Sequence, residues 1–222
     1  MTGSDSLDSF VDKWRARWPE WVALLVFVPA AQRPAAAAWF SLLQELRDAA
    51  WSGSDPAPGL AKLAWWQEEL RGWAKGARRH PLGEALAPLQ APWDALGGAL
   101  SVLPATRAPG SGDDDTAALE AFAGSLLACE AALFGGTDPQ PSQIAGATAG
   151  LRAERALSQG DREAAAGLRR LLDASTAAPT RPRRLQQVVV RERLRLLAAG
   201  AAPSRRTPLR LLFAAWRAAR GG

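Results

Sequence analysis

Apolar residues recur at steps of three and four along most of this chain, and no stretch alternates apolar with polar long enough to propose a strand. The clearest case is Leu60 to Arg79, where Leu63, Trp66, Leu70 and Trp73 fall on one helical face. Punctuation residues then set the breaks. Asp8 or Ser9 is placed to cap a first helix through Trp18, and Pro19 suits the start of a second that ends near Val28-Pro29. A third runs from about Ala31 to Trp51, and the loop from Ser52 to Gly59 breaks the chain before Leu60.

His80-Pro81 closes the fourth helix, with His80 capping or packing after it. Shorter helices are predicted at Leu82 to Leu86 and Ala91 to Leu103, then a long one from Asp113-Asp114-Asp115 through Phe134. Four more follow, at Ser142 to Leu157, Asp161 to Ala174, Arg183 to Ala199 and Arg205 to Arg220. About ten helices, short links and no internal repeat predict an all-α, single-domain helical bundle over residues 1–222.

Composition narrows the chemistry. The 222 residues hold one cysteine, one histidine and no tyrosine. That excludes an internal disulfide, a cysteine zinc site, a multi-histidine metal site and any phenolic acid or base. Cys129, among Leu126, Leu127 and Leu133, reads as a buried inert thiol. The aspartates at 113–115 read as helix-capping acids. No signal-peptide n-region opens the chain, and the longest uninterrupted apolar run, Trp21 to Ala31, covers 11 residues. A cytoplasmic protein is the expectation.

Charge is distributed unevenly. Residues 181–222 carry eleven arginines against one acid, Glu192, so the net +5 of the chain hides a +10 end on a −5 body. Such an end suits an anionic membrane surface or an acidic partner protein. On the last helix Leu209, Leu212, Phe213 and Trp216 share a face, with Arg206, Arg210 and Arg217 beside it as candidate contacts. Nucleic acid is disfavoured because no recognised motif accompanies the charge.

The segment Lys62-Leu63-Ala64-Trp65-Trp66-Gln67-Glu68-Glu69-Leu70, with His80-Pro81 ten residues on, resembles the squalene/phytoene synthase family. Phe27-Val28-Pro29 with Gln32-Arg33 looks like that family's signature before its first catalytic helix. Arg193-Leu194 to Gly200, and Pro208-Leu209-Arg210 to Arg217, look like its closing helices. The resemblance implies an isoprenoid-synthase-type bundle around a cavity. It implies head-to-head joining of two prenyl diphosphates by Mg²⁺ held on two facing acid clusters.

The chain departs from that pattern at both clusters. The first cluster's positions fall on Arg47, Asp48 and Trp51, leaving one acid of three, with Glu45 nearby. The second follows Thr148-Ala149-Gly150-Leu151-Arg152, and Ala153 and Leu157 stand where aspartates belong. Glu154 does not restore it. The candidates for substrate contact are therefore Glu45, Asp48, Trp65, Trp66, Glu69 and Arg152, with no catalytic or metal residue assigned. Trp65, Trp66 and Glu69 also admit a plainer reading, as helix packing with an exposed salt-bridging acid.

Three functions follow as expectations. The first is a family-like protein that has lost prenyl transfer and works by binding a prenyl lipid, a prenyl diphosphate or a partner. The family's non-catalytic branches, one an assembly factor for respiratory complex I, allow it. The second is an active prenyltransferase of squalene, hopanoid or carotenoid synthesis, the one reading that needs Mg²⁺. The third is a peripheral membrane or lipid-binding module.

Overall fold

The computed structural model describes residues 3–108, 113–202 and 207–221, and among them the only regular elements are α-helices and short 3₁₀ turns joined by loops, with no strand. Eleven α-helices are present among the described residues: α1 (Gly3–Arg17), α2 (Glu20–Leu24), α3 (Arg33–Trp51), α4 (Ala57–Trp73), α5 (Pro81–Leu86), α6 (Trp93–Ala99), α7 (Asp113–Phe134), α8 (Pro141–Gln159), α9 (Arg162–Ala174), α10 (Arg181–Ala198) and α11 (Leu209–Arg220). Boundaries shift from the sequence expectation where turns intervene. The second helix gives way to a 3₁₀ turn at Leu25–Phe27, and the Ala91 region splits into α6 and a 3₁₀ segment, Leu100–Thr106, that contains Pro104.

The fourth helix stops at Trp73 rather than Arg79. Gly76 takes φ +81°, and the Glu69 carboxylate collects the backbone N–H groups of Arg79 and His80, so the chain folds back on its own helix. His80 then caps α5 as expected, its Nδ1 accepting from the Leu82 N–H at 3.1 Å.

Helix α3 is the axis of the molecule. Fifteen of its nineteen residues are buried, which requires neighbours on every side, and α1, α4, α5 and α8 supply them. One hydrophobic core runs from Val11 to Ala219. Eight of the ten tryptophans lie within it, and only Trp65 and Trp216 reach the surface. Residues 115–134 of α7 are long and apolar enough to cross a bilayer by length and composition. Here Leu119, Phe122, Leu126 and Leu127 of that helix are core residues.

Candidate functional site

Four of the α3 residues that face inward are polar: Ser41, Gln44, Glu45 and Arg47. Buried polar groups need partners: Ser41 donates to the Ala37 carbonyl one turn back, and two separate networks serve the other three. The outer one runs along the α1–α3 rim. Trp18 donates its indole N–H to Gln44 at 2.7 Å, and Gln44 donates to Asp48 at 2.6 Å. Lys13 reaches both Asp48 (3.6 Å) and Glu45, and Lys62 of α4 closes on the other Glu45 oxygen. Burial alone would raise the Glu45 carboxyl, but hydrogen bonds from Lys13 and Lys62 outweigh it and hold the group below its ordinary range. This carboxylate is already neutralised by two lysines.

The inner network joins helices through charge. Arg47 of α3 meets Glu154 of α8 at 3.1 Å, and both side chains are buried. Glu154 also accepts from Gln186 at 2.7 Å, and Gln186 in turn accepts from the Trp21 indole at 2.8 Å. Burial depresses the Arg47 guanidinium below its ordinary value, against the pull of Glu154. Its Nε and one Nη lack any hydrogen-bond partner. Beside it, Glu130 of α7 accepts from Trp39 at 2.8 Å, is gripped by Arg183 of α10, and takes the Thr180 hydroxyl at 3.3 Å.

A cleft of about 210 Å³ opens where α1, α3, α8 and α10 converge. Trp18, Arg47, Asp48, Glu154, Leu157 and Arg193 stand in its wall. Thus Arg47 and Asp48, from the first suspected acid cluster, and Leu157, from the second, line one space. The set does not fit Mg²⁺, because position 47 is a cation and position 157 is apolar. Among the described residues no group of three or more His, Cys, Asp or Glu could hold a metal ion.

The other candidates divide. Trp66 is buried, Trp65 is partly exposed beneath the Arg79 guanidinium, and both rings pack on His80. Glu69 is not the exposed acid of the packing reading. It is 1% exposed and accepts from the Trp73 indole, two backbone N–H groups and the Arg79 side chain. Burial opposes ionisation there, yet those donors hold the carboxyl below its usual range. Burial also pushes His80 down to about 4. Glu45, Glu69, Trp65 and Trp66 therefore gather around one neutral imidazole, while Arg152 stays half-buried on α8 and pairs with none of them.

Asp115 corrects the capping expectation: Arg155 grips both of its oxygens at 2.9 Å in a buried pair. The side chains of Asp113 and Asp114 lie outside the described residues, as does Arg206. Cys129 is fully buried and burial raises its thiol, in keeping with an inert role.

The arginine-rich end is largely consumed internally. Arg183 pairs with Glu130, Arg191 with Asp173, Arg193 with Glu20, and Arg195 and Arg210 with Glu192, while Arg184 donates to backbone carbonyls. Sequence reasoning missed Glu130 and Arg183. A lone acid inside the apolar run Leu126 to Phe134 was the available signal.

The chain has no significant match among models of known protein families, curated proteins or solved structures.

Proposed function

We propose that the chain is a squalene/phytoene synthase-like protein that has lost prenyl transfer and works by binding, as an assembly or ligand-holding protein. The observation that carries this reading is the Arg47–Glu154 pair. On the resemblance, α3 and α8 would present facing carboxylates to a metal-bound diphosphate. Here those helices are tied to each other by a guanidinium and a single carboxylate. A cation at position 47 opposes metal binding by direct repulsion.

Cleft size supports the same reading. Pockets that enclose a drug-sized ligand run roughly 300–1,000 Å³, and this cleft holds about 210 Å³. Two prenyl chains and their diphosphates need far more. One headgroup, or a side chain from a partner, fits the scale.

The test is a thermal-shift titration with farnesyl and geranylgeranyl diphosphate, with and without Mg²⁺, alongside an assay for released diphosphate. A ligand at about 100 times its dissociation constant adds roughly 2.7 kcal/mol of stability. The expected result is no Mg²⁺-dependent shift and no diphosphate release. A Mg²⁺-dependent shift, or release above the protein-free control, overturns the proposal in favour of the active enzyme.

A further inference from the structure

Nine large apolar side chains are exposed among the described residues, and five of them sit on two adjoining elements. Val22 (67%) and Val26 (64%) project from α2 and its following turn. Leu209 (83%), Phe213 and Trp216 project from α11, which lies against both. Helix geometry explains the second row. Leu211, Ala215 and Ala219 anchor α11 to the core, which turns Leu209, Phe213, Trp216 and Arg220 outward at steps of four, three and four. Phe213 and Trp216 stack at 5.6 Å, and the Arg220 guanidinium sits 4.8 Å over the Trp216 ring.

The rim is basic. Arg33 donates to the Val26 and Val28 carbonyls, which places its guanidinium at the valine edge. Arg217 and Arg220 border the aromatic edge and make no ion pair among the described residues, in contrast to Arg210, which Glu192 occupies. The elements that build the patch contain one acid, Glu20, and it is buried against Arg193. An apolar centre holding a surface tryptophan, edged by unpaired arginines on a helix lying flat, has the chemistry of a bilayer interface.

We propose that this corner, Val22, Val26, Leu209, Phe213 and Trp216 within the rim of Arg33, Arg217 and Arg220, docks on an anionic lipid surface. A second copy is the poorer occupant. A two-fold contact through this face would set the same arginines on both sides of the joint, where like charges repel. The proposal stands on the α2–α11 surface alone and does not depend on what the α3–α8 cleft binds.

Flotation of the full chain with phosphatidylcholine vesicles, with and without phosphatidylglycerol, tests it. Binding is expected only when phosphatidylglycerol is present, and it should weaken as salt is raised. Arg217→Gln and Arg220→Gln should each weaken binding by roughly fivefold. The double variant Phe213→Ser, Trp216→Ser should weaken it by roughly tenfold or more, and the exposure of both side chains leaves circular dichroism and Tm as the check on folding. Failure to float, equal binding to both vesicle types, or unchanged binding by folded variants overturns the proposal. A dimer in sedimentation velocity that Phe213→Ser abolishes overturns it too, and assigns the face to self-association.

Discussion

Arg47 and Glu154 meet at 3.1 Å between α3 and α8, each less than a tenth exposed, and two of the three guanidinium nitrogens of Arg47 have no hydrogen-bond partner. A buried pair so incompletely satisfied contributes little net stability, because desolvation offsets the attraction. Removing one partner is another matter. Glu154→Gln should destabilise the fold by about 3–5 kcal/mol by leaving a buried, unpaired cation. The double change Arg47→Met, Glu154→Leu should restore stability to the wild-type level or above it. Urea denaturation of the wild type and the two variants measures both, and equal losses in the single and double variants would refute the pairing argument.

Glu130 ties three parts of the chain together: Trp39 on α3, Arg183 on α10 and the Thr180 cap that starts α10. Arg183 also lies 5.6 Å over the Phe40 ring, so its position affects packing against α3. Glu130→Gln keeps the shape and removes the charge. A loss of about 3 kcal/mol or more is expected, with hydrogen-exchange protection falling in the first turns of α10. Unchanged protection there would show that the cap and packing hold α10 without the carboxylate.

Acid should weaken the protein in two stages. His80 has an ordinary value of 6.5 and is pushed down to about 4 by burial, so the unfolded chain binds its proton first. Its contribution is complete above pH 6.5 and is lost as pH falls toward 4. Partial exposure limits this to about 1–2 kcal/mol. Glu45 and Glu69, both lowered from 4.5, contribute above that value and lose their share below it. Because the chain has one histidine, His80→Asn should flatten stability between pH 6.5 and 4.5. A slope that survives in that variant would assign the loss to other groups.

Helix positions and the α4 face were legible because they depend on local periodicity and on turn residues. Leu63, Trp66, Leu70 and Trp73 are all buried, and His80 caps α5. The end of α4 was not legible. It depends on a carboxylate ten residues back that collects two backbone N–H groups. The centre of the site was not legible either, because nothing local in the sequence shows that Glu154 reaches across from α8 to Arg47 on α3. The internal pairing of the basic end was not legible for the same reason. Glu20, Glu130, Asp173 and Glu192, three of them outside residues 181–222, occupy five of its arginines.

Gly59 lets the start of α4 pass close to the backbone of α3 at Ala49, and it predicts a reversal of the usual glycine-to-alanine effect. A Cβ at Gly59 would overlap the Ala49 carbonyl oxygen, a fixed backbone atom near the end of α3. Alanine is worth roughly 1 kcal/mol over glycine inside a helix, but the clash must move one helix away from the other. Gly59→Ala should therefore destabilise by about 1–3 kcal/mol. Gly150 on α8 and Gly167 on α9 meet no atom within 4 Å of an added Cβ. Their alanine variants should each gain about 0.5–1 kcal/mol. Parallel thermal melts decide the matter: a stabilised Gly59→Ala would mean that α3 and α4 do not approach as closely as this packing requires.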